Sequence, residues 1–151
     1  MDKNISIQAL QAFATGLSAQ SYAHKVQGKV FSSQGFTKLG DKYAEHSTEE
    51  MGWVDKFIDR ILDLGGEAKV EAAPAQKIYT DAVEFIKADL QVSVSGIEYL
   101  RQAMESVKGD PTTYEILFEY LKDEEEDMYW SEQQLDLIGM IGLQNWLVKQ
   151  L

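Results

Sequence analysis

Apolar residues along this chain recur at steps of three and four, in four blocks separated by glycine. The first block runs Ile7, Leu10, Ala14, Leu17, Ser21, His24, Gly28, Phe31, and the second Phe36, Leu39, Tyr43, His46, Glu50, Trp53, Phe57, Ile61, Leu64. The third runs Val83, Ile86, Leu90, Ser93, Ile97, Leu100, Met104, Val107, and the fourth Leu117, Leu121, Glu124, Met128, Ser131, Leu135, Ile138. Such steps put side chains on one stripe of an α-helix, and no stretch alternates as a half-buried strand would. Gly35 closes the first block, Gly65-Gly66 the second, and Gly109-Asp110-Pro111 divides the third from the fourth. Pro111 suits the first turn of a helix and the paired glycines a C-terminal cap. Gly139 and Gly142 set off a tail, Leu143 to Leu151, with room for two turns of a fifth helix.

Connection lengths predict the topology. The first and second helices are joined by a few residues, as are the third and fourth, so each pair forms an antiparallel hairpin. Between the second and third lies the stretch from Gly65 to Tyr79, which contains Pro74. A helix of roughly 28 residues is about 42 Å long, and about fifteen extended residues reach about 50 Å. The connection can therefore run the length of the bundle and make those two helices parallel. An all-α bundle of four helices with one long crossover, here with a short C-terminal fifth helix, is the ferritin-like arrangement.

Composition narrows the chemistry. The chain has 151 residues, 25 Asp and Glu against 14 Lys and Arg, two histidines, two prolines and no cysteine. That length suits a single domain, 1–151, with a core that needs no disulfide staple. A formal charge of −11 argues against nucleic acid or an anionic membrane as partner, since both are gripped by clustered Lys and Arg. Lack of cysteine removes thiolate metal sites, iron–sulfur ligation and thiol nucleophiles. No signal-peptide core and no apolar run of membrane-spanning length are present, so a cytoplasmic protein is expected.

The informative residues are those that interrupt the stripes near mid-helix: Leu17, Glu50 with Trp53, Ser93, and Glu124 with Asp127. Carboxylates at core-facing positions are costly unless paired, protonated or metal-bound. Di-iron carboxylate bundles place a Glu on each of two helices and Glu-x-x-His on the other two, all facing inward. Against that pattern the second helix offers Glu50-Met51-Gly52-Trp53, with Trp in place of His. The fourth offers Glu124-Glu125-Glu126-Asp127, with Asp in place of His. Leu17 and Ser93 stand where single glutamates are required, and a tryptophan takes up volume that an iron and its ligands need.

The stretch Tyr120-Leu-Lys-Asp-Glu-Glu-Glu-Asp-Met-Tyr-Trp130, with Leu135-Asp-Leu-Ile138 and Gly142-Leu-Gln-Asn-Trp-Leu147, resembles the fourth helix and tail of bacterioferritin. Glu49-Glu50-Met51, Phe57-Ile-Asp-Arg-Ile-Leu62 and Gly65-Gly66 resemble its second helix. The resemblance implies haem b held between two subunits through a methionine directly after the second-helix glutamate, here Met51. It also implies that Glu50 and Glu124 match the bridging iron ligands and that Asp127 replaces a ligand histidine. Metal candidates are thus Glu50, Glu124 and Asp127, with iron ions as cargo. Family members build hollow 24-subunit shells that store ferric mineral. Haem in such a shell would pass electrons from a ferredoxin-type reductant and help release iron.

These features make the expected function a bacterioferritin-type iron-storage subunit with an incomplete di-iron centre, co-assembled with a ferroxidase-competent subunit. Two alternatives stay open. One is an active ferroxidase with a rearranged site of Glu50, Glu124 and Asp127; the other is a structural cage subunit binding neither haem nor iron. His46 reads as a hydrogen-bonded core or interior-surface histidine rather than a ligand. His24 reads as a hydrogen-bonding partner for the remaining carboxylates, without a catalytic role. Trp130 and Trp146 read as packing residues.

Overall fold

A computed structural model describes residues 1–151. Five helices follow in order: α1 (Lys3–Ser33), α2 (Thr37–Asp63), α3 (Ala82–Ser106), α4 (Pro111–Ile141) and α5 (Leu143–Val148). No helix is long and apolar enough to cross a membrane. Side-chain caps begin three of them. Asp2, Asp81 and Asp110 accept from backbone N–H groups in the first turns of α1, α3 and α4, satisfying donors that have no intrahelical partner.

The crossover runs beside α1 from its start to its end, and two glutamines hold it there. Gln11 donates to the Lys69 carbonyl (3.0 Å) and accepts from its N–H (2.8 Å). Sixteen residues further along α1, Gln27 does the same with Tyr79, at 2.8 and 2.9 Å. The chain therefore reaches α3 at the end of the bundle where α2 began, which makes α2 and α3 parallel, as the connection lengths predict.

Packing between α1 and α2 depends on two glycines. A Cβ added at Gly28 would lie 2.7 Å from the Gly40 carbonyl oxygen, and one at Gly40 would lie 2.7 Å from that of Gly28. Backbone meets backbone at this crossing, with no room for a side chain. Of the two glycines before the tail, α4 continues through Gly139 and stops at Gly142, whose φ is +84°, so the tail begins at Leu143 as expected. A lone glycine costs a helix interior about 1 kcal/mol. Leu137, Ile138 and Ile141, packed on the core around it, offset that cost.

The apolar core falls into two clusters. One gathers Leu10, Phe13, Leu17, Val54, Phe57, Ile61, Leu100, Met104 and Leu117 among others. The second gathers Phe31, Leu39, Tyr43, Phe85, Ile86 and Trp146. Trp146 brings α5 across the bundle end, fully buried, its indole N–H donating to Gln134 at 3.0 Å. Between the clusters lies a layer of buried polar side chains: Ser21 and His24 of α1, His46, Ser47 and Glu50 of α2, and Asp89 and Ser93 of α3.

At the far end, Asp110 joins three helices. Its buried carboxylate accepts from Arg60 Nη2 (2.8 Å), Ser6 Oγ (2.9 Å) and the Thr113 hydroxyl and N–H. Burial pushes this carboxyl up, but the bonds from Thr113, Ser6 and Arg60 outweigh it and hold it below the ordinary range. Asp110→Ala, which removes an N-cap and strands Arg60, should lower unfolding stability by about 2 kcal/mol or more. Urea denaturation at neutral pH checks this. Because the folded carboxyl is depressed, its stabilisation holds above the ordinary Asp range and fades as pH falls through the folded value.

Candidate functional site

The polar layer divides into two halves of different character. In the first, the His24 ring lies between two carboxylates. Nδ1 lies 2.6 Å from Glu50 Oε1 and Nε2 2.8 Å from Asp89 Oδ1, with the Gln20 amide nitrogen 2.9 Å from the same Nε2. In its charged form the ring donates to both carboxylates. Burial alone would lower the His24 pKa, but the Asp89 and Glu50 carboxylates reverse that and raise it to about 10. Gln20 adds a donor to Asp89 at 3.2 Å. Three helices each contribute one member to this chain of charges.

The second half gathers carboxylates with no cation among them. Ligand-capable oxygens of Asp123, Glu124 and Asp127 lie within 4.8 Å of one another on α4. Burial is the main cause pushing Glu124 and Asp127 up to about 8, and each is raised further by its acidic neighbours. Trp53 packs near Tyr120, with ring centroids 5.6 Å apart, and its indole N–H donates to Asp123 Oδ2 at 3.1 Å. His46 faces this half from α2. Its Nε2 lies 3.7 Å from Asp127 Oδ1, beyond hydrogen-bonding range, and has no partner. Burial, then the His24 charge, lowers the His46 pKa to about 4, so the ring is neutral at pH 7.

Each residue singled out from the sequence now has a place. Glu50 is buried on α2 with His24; Glu124 and Asp127 share the α4 cluster. Leu17 sits in the first apolar cluster and Ser93 in the polar layer. His24 bonds Glu50, as expected, but its second carboxylate is Asp89 and not one of the α4 acids. His46 is buried, but its Nε2 lacks the hydrogen bond expected of it. Met51 is 42% exposed, on the side of α2 away from buried Glu50. Beside it, a Cβ added at Gly52 meets nothing within 4 Å. A thioether on an open face is a donor that suits haem iron.

Asp89 escaped the sequence reading. From Ile86 the stripe can step by four to Leu90 or by three to Asp89, and hydrophobicity favours Leu90. Leu90 is only half-buried and Asp89 is buried. The usable signal was Phe85, one turn before Asp89 and itself buried. Asp123 was hidden differently, inside an acidic run that reads as a solvated face.

A four-helix bundle with one end-to-end crossover, a short closing helix and a mid-height layer of carboxylate and imidazole groups is of the ferritin-like class. Residues 7–141 match the Ferritin family, described as a ferritin-like domain, and the chain belongs to that family. It is similar to a bacterial ferritin of Neisseria meningitidis serogroup B, 36% identical over 129 residues and 83% of each chain. A bacterial ferritin of Pseudomonas aeruginosa is 31% identical over 153 residues, 96% of each. A bacterioferritin of Brucella melitensis is 30% identical over 116 residues, 76% of this chain and 72% of its own.

The charge arrangement sets a pH dependence. His24 keeps its proton to about 10 when folded and to 6.5 in its unperturbed state, so its stabilisation is complete below 6.5 and lost as pH rises through about 10. Glu124 and Asp127, also raised, act in the same direction below about 8. The urea midpoint should therefore fall steadily between about pH 6 and pH 10. His24→Ala leaves Glu50 and Asp89 buried and unpaired, which should cost about 3–5 kcal/mol at pH 7 and flatten the decline above pH 8. An unchanged midpoint in that variant would disprove the imidazolium assignment.

Proposed function

We propose that this chain is a bacterioferritin-type iron-storage subunit that has given up its own iron-oxidising centre. The observation that carries this reading is the position of His24, whose ring fills the space between Glu50 and Asp89. Two inward carboxylates from different helices are what a first iron would use to sit at mid-bundle. Here both already face a cation that belongs to the chain. On the other flank Trp53 occupies the place of a ligand histidine, and Leu17 and Ser93 offer no carboxylate. A paired-iron centre needs more oxygen and nitrogen donors than Glu50, Glu124 and Asp127 supply.

Kinship with bacterial ferritins supports a storage shell built by self-association, with oxidation of Fe(II) left to a ferroxidase-competent subunit in the same shell. Acidic surface suits that cargo, since hard oxygen ligands attract and nucleate iron ions. The fit of Met51 to haem rests on its exposed thioether, turned away from the bundle and able to meet its symmetry mate on a second subunit. Haem b bound there would supply one-electron transfer, drawing on a ferredoxin-type reductant. The chain's part would be to present the soft, neutral Met51 thioether at a subunit face, clear of the acidic interior. A cytoplasmic location goes with this reading.

Two measurements check it. Haem-reconstituted protein should show a Soret band that is lost or strongly shifted in Met51→Leu; a band indifferent to that change would remove the haem assignment. Oxygen consumption by the pure protein with Fe(II) should not exceed a protein-free blank. Turnover that disappears in Glu124→Ala would instead establish an active, rearranged ferroxidase.

A further inference from the structure

The second half of the polar layer has a feature that a loss of iron chemistry does not account for. Asp123, Glu124 and Asp127 crowd together without a cation. The His46 ring, 2% exposed, holds an unpartnered Nε2 beside the edge of the cluster, 3.7 Å from Asp127 Oδ1. A buried ring nitrogen left without a partner is costly, and no group hydrogen-bonds to it. Tyr43 and Trp130 pack on the ring at centroid distances of 5.3 and 5.9 Å, and the Tyr43 hydroxyl is itself buried without a partner. A shallow groove of about 220 Å³ between α1 and α3, walled by Gly16, Gln20, Gly96 and Tyr120, has Glu124 on its lining.

We propose that His46 Nε2, Asp127, Glu124 and Asp123 form a site for one first-row divalent cation, entered from the groove between α1 and α3. The inference rests on the reading above in one respect: His24 holds the neighbouring position, so the site takes a single ion and not a pair. One imidazole nitrogen with carboxylate oxygens is a donor set for Fe(II), Co(II) or Zn(II). A cation there would meet the unsatisfied nitrogen and relieve the repulsion among the three carboxylates together. Neither half of the layer would then be left without positive charge, one supplied by the chain and the other by the ion. A lone ferrous ion gives up one electron, whereas reduction of dioxygen to peroxide takes two. Such a site holds iron in transit and does not oxidise it by the paired route.

His46 lies on α2 one turn before Glu50, outside the second-helix Glu-x-x-His spacing, so the site is shifted along α2 toward the second apolar cluster. Trp53 keeps Asp123 in place by its indole hydrogen bond and is a positioning residue.

Titration of the purified, haem-free assembly with Co(II) tests this, read by calorimetry and by the visible d–d spectrum. One Co(II) per subunit is expected. Asp127→Asn should weaken binding by about tenfold or more, and His46→Gln should do the same while changing the d–d bands that report nitrogen ligation. Glu126→Gln, on the exposed side of the same acidic run, should change affinity by less than about twofold, separating a built site from general acidity. Circular dichroism and shell elution establish that each variant is folded. If His46→Gln does not assemble, Asp127→Asn, at a position 21% exposed, decides alone. Absence of Co(II) binding, or binding indifferent to Asp127→Asn, overturns this site and leaves the haem and storage reading intact. Two ions per subunit in the unsubstituted protein would overturn both this site and the exclusion of a paired centre by His24.

Discussion

A carboxylate on α2 and another on α3 cannot both stay charged face to face across an apolar bundle without a cation between them. In this protein the cation is a side chain of α1. The Glu50–His24–Asp89 chain, closed at 2.6 and 2.8 Å, sets what the rest of the middle of the bundle can be. It fixes the relative height of three helices, because a one-turn slip of any of them would bury an unpaired charge. It also explains how two apolar clusters can be separated by a polar layer without the bundle swelling at its waist. The polar groups of that half satisfy one another. Aromatic rings pack on one side of the ion chain, Tyr43 with its ring centroid 5.5 Å from that of His24 and Phe85 at 6.2 Å, and a pocket of about 440 Å³ opens onto His24 and Asp89 on the other.

An ion that belongs to the chain differs from one drawn from solution. A bound metal stabilises in proportion to its concentration and is lost to chelators; His24 arrives with folding and stays. The first half of the layer therefore stands at any metal concentration. The second half has no such resident charge. Trp53 gives Asp123 one hydrogen bond, but Glu124 and Asp127 are left to repel each other, and protons partly relieve them near neutral pH. One polar layer thus holds a closed, self-neutralised half beside an open one whose charge balance depends on solvent ions or pH.

Much of this was legible in the sequence because helical periodicity reports burial faithfully when helices are long. Leu10, Leu17, His24 and Phe31 on α1, and Leu39, Tyr43, Glu50 and Ile61 on α2, are all buried as the stripes require. The crossover's reach and direction followed from its length alone. What periodicity cannot resolve is a choice between two adjacent residues one step apart, and the ion chain turns on such a choice. Asp89 and Leu90 both lie within reach of the α3 stripe. Hydrophobic pattern selects Leu90, whereas pairing with a histidine on another helix selects Asp89. Such pairing is a tertiary fact that local spacing does not carry. Gly139 shows the converse limit, a residue that breaks helices on average but is carried through by the packing of Ile138 and Ile141.

The two faces of α2 meet entirely different surroundings. Successive residues on a helix point about 100° apart, so Glu50 and Met51 are neighbours in sequence and strangers in environment: one is 3% exposed at mid-bundle, the other 42% exposed on the outer side. Trp53 and Asp127 act on the packing and charge of the interior, which the exposed Met51 does not share. The backbone of α2 must stay where it is for either face to work, and the Gly28–Gly40 crossing together with the His24 ion chain holds it there. A substitution that filled the interior with aliphatic side chains would remove the ion chain, and with it the register that presents the Met51 thioether. A charged layer at mid-bundle therefore fixes the register of both faces of α2 at once.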